Sequence, residues 1–142
     1  MNLPLNTVLR NIKDFFKCHD IDWESVRNTE EDSMGETYNH SKSKKEWLRR
    51  GLKMLNSIAS YHGWTAKTST NPSGSSCDRG HVTSFFGKNE KFVYVSLCDG
   101  MKDILYRTAK DDEDYSGGSN NAESLNEVGI TEMVDWAEGY LN

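Results

Sequence analysis

Apolar positions recur at helical spacing from the start of the chain. Leu5, Val8, Leu9, Ile12, Phe15 and Phe16 predict a helix from about Leu3 to Lys17, with Pro4 in the first turn, where a missing N–H costs nothing. The order then weakens. Asp22 can cap a short helix through Trp23 and Val26, and the acidic stretch Thr29 to Glu36 reads as a loop. The clearest pattern runs from Ser41 to His62. There Trp47, Leu48, Gly51, Leu52, Met54, Leu55, Ile58, Ala59 and Tyr61 fall on one arc of a helical wheel. Gly63 is a natural stop, because a left-handed residue commonly ends a helix.

The period then changes from helical to alternating. Trp64 to Thr68 is rich in Thr and aromatics and predicts a strand. Asn71 to Gly80 is a Gly/Ser loop. Val82 to Phe86 and Lys91 to Leu97 predict a hairpin joined by the four residues Gly87 to Glu90. Within the second strand Val93, Val95 and Leu97 form the set expected to face the core. Asp103 to Lys110 fits both periods and is read as a strand, because Tyr and Thr dominate it. Asp111 to Glu123 reads as a polar loop. A last helix is expected from about Thr131, with Met133, Val134, Trp136, Ala137, Tyr140 and Leu141 as its apolar positions.

These elements predict one α+β domain over 1–142. Its parts are an N-terminal helical region (1–40), an amphipathic helix (41–63), strands (64–110), and an acidic loop with a C-terminal helix (111–142). An antiparallel sheet of three to four strands should be covered on one face by the central and C-terminal helices. Trp47, Leu48, Leu55, Ile58, Val93, Val95, Leu97, Val134 and Trp136 are the expected core. With 142 residues and 15 aromatics, the chain can build such a core without covalent staples.

Charge alters the picture, because it is segregated. The 32 residues from Asp111 onward carry nine carboxylates and no Lys, Arg or His, whereas Lys42 to Lys53 packs six cations into twelve residues. The net charge of −5 argues against a protein that binds nucleic acid over its whole surface. No apolar run approaches ~18 residues, so no membrane span is expected. The N-terminus lacks the layout of a secretory signal. Three cysteines at wide spacing (Cys18, Cys77, Cys98) give little support for a disulfide framework and fit a reducing cytoplasm.

Several sites follow as candidates. Asp111, Asp112, Glu113, Asp114, Glu127, Asp135 and Glu138 can present spaced negative charge to a basic groove on a partner protein. The alternative reading is a surface that serves solubility and neutralises the basic helix. Lys42, Lys45, Arg49, Arg50 and Lys53 can contact phosphates of a nucleic acid, although no aromatic is interleaved among them to stack bases; the alternative is a solvated face. Asp112, Asp114, Ser116 and Glu123 match a calcium-loop pattern if Ser116 takes the fifth place and Gly117 makes the turn. That loop departs from the pattern at Ser119, where an apolar anchor belongs. Calcium is the one cofactor the residues suggest.

Cys77 and His81 lie four residues apart and could pair as nucleophile and base, but no orienting third group is visible. A second histidine motif to mirror His81-Val82-Thr83 is missing, which argues against a two-histidine phosphoesterase. Gly117-Gly118 lacks the context of a phosphate cradle and is surrounded by carboxylates. The expectation is therefore a non-enzymatic interaction protein.

From Leu52 through Gly63-Trp64 to Phe92-Val93-Tyr94-Val95-Ser96-Leu97, a helix ends in Gly-Trp and is followed by strands. This third of the chain resembles small phage-encoded inhibitors of bacterial defence nucleases, of the anti-CRISPR kind. The resemblance implies a cytoplasmic inhibitor of a nucleic-acid-handling bacterial enzyme. Such inhibitors share no catalytic motif, so it assigns no residue a role.

Overall fold

The computed structural model describes residues 3–19, 40–71, 80–98 and 103–142, with residues 40–44 described by backbone alone. The element order is α1 (Leu5–His19), α2 (His40–His62), β1 (Thr65–Asn71), β2 (His81–Lys88), β3 (Lys91–Cys98), β4 (Asp103–Ala109), β5 (Asn121–Ser124) and α3 (Glu127–Leu141). The five strands form one antiparallel meander in the order β1-β2-β3-β4-β5. The fold class is α+β as expected, but the sheet has five strands, not three to four. The fifth, Asn121-Ala122-Glu123-Ser124, pairs with β4, from Asp103↔Ser124 to Tyr106↔Asn121. Its first three residues lie inside the stretch read as loop, because a short polar edge strand carries no apolar alternation.

The alternation predicted for β3 is the one observed. Val93, Val95 and Leu97 are fully buried, beside Val82, Ser84 and Phe86 from β2 and Ile104 and Tyr106 from β4. The three helices close over this face. α1 packs on α2, where Trp47 and Phe15 are both fully buried with ring centroids 5.5 Å apart. The Trp47 indole N–H donates to His19 Nδ1 at 3.1 Å, so the largest core residue also satisfies its polar atom. All of the expected core is buried except Val134 and Trp136, which are partly buried against it.

Two boundaries differ from expectation for local reasons. α3 begins at Glu127, four residues before Thr131, because Asn126 is the N-cap and its side chain accepts from the Gly129 N–H. The β2–β3 loop is two residues, Asn89-Glu90, with both φ angles positive at 56° and 63°. That is the turn whose twist matches antiparallel strands. α2 ends at His62 as expected, and Gly63 (φ 76°) makes the left-handed exit. The expected short helix at Asp22 and the loop from Thr29 to Glu36 lie outside the described residues, as do Cys77 and residues 72–79.

The β2–β3 turn also holds the end of the last helix. Asn89 Nδ2 donates to the Leu141 carbonyl at 3.0 Å, and Lys91 Nζ donates to that of Tyr140 at 3.3 Å. These donors meet the carbonyls that a helix C-terminus leaves without partners. Cys18 is buried and Cys98 is disulfide-bonded, a bridge that the wide spacing of the three cysteines gave little reason to expect. No helix among the described residues is long and apolar enough to cross a membrane.

Glu90 occupies a left-handed position that a glycine adopts without strain. We expect Glu90→Gly to raise stability by about 0.5–1 kcal/mol, seen as a rise of a few degrees in Tm. An unchanged or lower Tm would show that this turn is not strained.

Candidate functional site

The strand register arranges the uncovered face of the sheet in rows. Lys67, Phe85, Tyr94 and Arg107 lie side by side across β1 to β4, and Ser69, Thr83, Ser96 and Leu105 form the next row. Asn71, His81 and Cys98 form the row after that. Arg107 belongs to this open face, yet it is only 4% exposed.

What covers Arg107 is the loop between β4 and β5. Its guanidinium lies 3.6 Å from the Asp114 carboxylate, donates to the Asp114 and Thr108 carbonyls, and stacks 4.7 Å over the Tyr94 ring. Asp114 Oδ2 accepts from the Lys110 backbone N–H at 3.1 Å. That bond is the main reason its carboxyl is held below its usual pKa, and Arg107, Lys110 and the Gly117 N–H add to the effect. A Cβ at Gly117 would stand 2.8 Å from Asp114 Oδ1, so glycine lets the loop close on this carboxylate. At the loop's rim Asp111 accepts from the Glu113 N–H, and Glu113 lies 3.6 Å from Lys67.

The loop thereby carries Tyr115 back onto the sheet. Its ring meets Phe85 at 5.0 Å and Tyr94 at 5.9 Å, edge-on in both cases. Beside it opens a cleft of about 310 Å³, lined by Ser69, Asn71, His81, Thr83, Tyr94, Ser96 and Tyr115. The hydroxyls of Thr83 and Ser96 hydrogen-bond that of Tyr94, whose pKa is raised by burial. Ser69 and Thr83 hydroxyls are 3.2 Å apart.

On the other side of the sheet lies a second surface. Leu5, Leu9 and Ile12 of α1, Tyr61 and His62 of α2, and Ile130, Thr131 and Val134 of α3 line an apolar groove of about 150 Å³. Leu5 and Leu9 are 48% and 46% exposed. Glu127, Asp135 and Glu138 stand four residues before, four after and seven after Thr131, so all share its face of the helix. All three are exposed, and Glu138 lies 3.1 Å from His62 Nδ1.

The acidic residues singled out from sequence therefore divide into two groups. Asp111, Asp112, Glu113 and Asp114 sit in the loop on the open sheet face, three of them engaged in holding that loop. Glu127, Asp135 and Glu138 sit on the helical side. The calcium-loop set is not brought together either. Asp114 is bound to Arg107 on the open face, whereas Glu123 accepts from the Tyr106 hydroxyl at 3.2 Å on the covered face. Asp112 and Ser116 are exposed. Among the described residues no group of three or more His, Cys, Asp or Glu could hold a metal ion.

Of the basic set, Lys45, Arg49 and Lys53 are exposed at successive turns of α2, and the Lys42 side chain lies outside the described residues. Arg49 and Arg50 both bond Glu46, whose carboxyl they hold down to about 2. Arg50 also donates to the Asp14 carbonyl of α1 at 2.9 Å. It is a clamp between helices more than a free cation.

The hydroxyl-lined cleft and the apolar groove between α1 and α3 are features that sequence reading missed. Tyr115 and the exposed Leu5 and Leu9 were their visible signals. Comparison with known proteins adds no assignment, since no family model matches the chain and no curated protein or solved structure resembles it at significance.

Asp114 has a folded pKa below its unfolded one. Its hold on the loop is thus complete above the ordinary carboxylate range and is lost as pH falls through the depressed value. We expect Asp114→Asn to abolish the Tyr115–Phe85 ring contact in NOE spectra at neutral pH, and strong acid to do the same to the wild type. Persistence of that contact in the variant would show that the loop does not depend on this carboxylate.

Proposed function

We propose that this chain is a non-enzymatic interaction protein that binds a basic, amphipathic segment of a protein partner in the groove between α1 and α3. One observation carries the reading: half-exposed leucines, Leu5 and Leu9, flank an apolar groove whose α3 side bears Glu127, Asp135 and Glu138. Exposed apolar residues beside a charged rim are the usual makings of a contact surface. The groove accepts apolar side chains at helical spacing, and the carboxylates steer and orient a cationic partner. A nucleic-acid-handling protein, whose surface is basic where it meets phosphate, has the complementary chemistry. The loop carboxylates contribute long-range charge more than contact, since Asp111 accepts from the Glu113 N–H and Glu113 and Asp114 lie against Lys67 and Arg107 of the sheet.

The test is capture from a nuclease-treated bacterial lysate with three chains. These are the wild type, a helix-reversed variant (Glu127→Lys, Asp135→Lys, Glu138→Lys), and a loop-reversed variant (Asp111→Lys, Asp112→Lys). The same partner should come down with wild type and loop variant, and the helix variant should lose it by tenfold or more, about 1.4 kcal/mol. Leu5→Ser with Leu9→Ser should weaken capture without changing its salt dependence. Equal loss in the loop and helix variants would overturn the assignment of the surface. Capture unaffected by every variant would remove it.

A further inference from the structure

The cleft beside Tyr115 has a composition that partner binding on the helical side does not use. Among the described residues its lining holds five hydroxyls (Ser69, Thr83, Tyr94, Ser96, Tyr115), one amide (Asn71) and one imidazole (His81), and no carboxylate, lysine or arginine. From this arrangement we propose that the cleft is a binding site for a neutral saccharide of one or two rings.

Three features point to that chemistry. The first is that the described lining residues bring hydroxyls, an amide and an imidazole, and no carboxylate, lysine or arginine. Among the described ions, Arg107 and Asp114 behind Tyr94 and Tyr115 lie 3.6 Å apart and neutralise each other, with Arg107 stacked on the Tyr94 ring. A phosphate or an ammonium group therefore gains no ion pair from these residues.

The second is the character of the polar groups. A hydroxyl donates one hydrogen bond and accepts others, and an amide offers both functions, so the lining can meet hydroxyls that do the same. Ser69 and Thr83, and Thr83, Tyr94 and Ser96, already form connected hydroxyl contacts along the floor. Such a chain can turn its protons to suit a ligand's hydroxyl pattern.

The third is the aromatic wall. Tyr115 rests edge-on upon Phe85 and Tyr94, with interplanar angles of 82° and 81°. Tyr115 lines the cleft while 55% exposed, so much of its ring remains open to a ligand. A rigid, exposed tyrosine face offers large contact area at little cost in side-chain entropy and suits the apolar C–H face of a sugar ring. The volume of about 310 Å³ falls at the small end of ligand pockets.

The wall is also set in place before any ligand arrives. A buried ion pair is weak evidence for stability, because desolvation offsets much of its attraction. The Arg107–Asp114 pair instead fixes the loop that carries Tyr115, so little ordering remains to oppose binding.

The experiment titrates the full ¹⁵N-labelled chain with maltose, cellobiose, lactose and diacetylchitobiose at millimolar concentrations, with uridine and AMP as comparison ligands. At least one saccharide should give saturable NMR shifts at Ser69, Thr83, Tyr94, Ser96 and Tyr115. Tyr115→Ala should weaken it by about tenfold, while Tyr115→Phe, which keeps the ring, should retain most of the affinity. Tyr115 is exposed, so both variants should fold, with thermal melts as the check. Leu9→Ser, in the groove on the other side, should bind as wild type does, and this separates the cleft from the proposed protein interface. The proposal is overturned if none of the four saccharides gives saturable shifts at the cleft, if Tyr115→Ala binds unchanged, or if uridine or AMP binds there in preference to every saccharide.

Discussion

Arg107 points to the uncovered side of the sheet and is nevertheless almost wholly buried. A guanidinium in that position must be neutralised and hydrogen-bonded, or its burial would cost several kcal/mol. The β4–β5 loop meets that requirement. Asp114 supplies the charge, loop and strand carbonyls accept the N–H groups, and Tyr94 takes the cationic face. Once the loop is drawn back over the sheet, Tyr115 lands on Phe85, and the polar rows beyond become one wall of a cleft. The layout of the open half of the protein thus follows from one buried cation.

The other half is set by apolar packing. Alternate residues of β2, β3 and β4 pass beneath three helices, and the seam between α1 and α3 remains incompletely filled. Because the sheet lies between them, the two halves present different chemistry: hydroxyls and tyrosines on one side, leucines with carboxylates on the other. Carboxylates that stand near one another in sequence serve different surfaces. β5 pairs at the sheet edge and α3 then turns onto the covered face, which separates Asp114 from Glu127 although only twelve residues lie between them.

The parts legible in the sequence are those where one physical signal dominates. The helical spacing of Leu5 to Phe16 and of Trp47 to Tyr61 marks α1 and α2, and the alternation of Phe92 to Leu97 marks which residues of β3 face inward. Asn121 to Ser124 carries no such signal, since an exposed edge strand is specified by its pairing with β4 and not by its own residues. The start of α3 is hidden in the sequence because Thr131 offers an equally good cap, and the helix opens with the exposed Glu127 and Val128. A run of acids reads as one surface until the register shows that Asp114 answers Arg107. That pairing is a tertiary fact which no local pattern encodes. The calcium-loop residues are divided in the same way, because Asp114 and Glu123 are drawn to opposite faces of the sheet by Arg107 and Tyr106.

The central claim is that the acidic loop is a fixed structural part and not a free charged tail. Backbone ¹⁵N relaxation across residues 110–120, compared with β2 and β3, tests it most directly. The account predicts order parameters close to those of the strands, about 0.85, at Asp114, Tyr115 and Gly117. Values below about 0.6 at those residues would contradict it and return the loop carboxylates to the pool of freely presented charge.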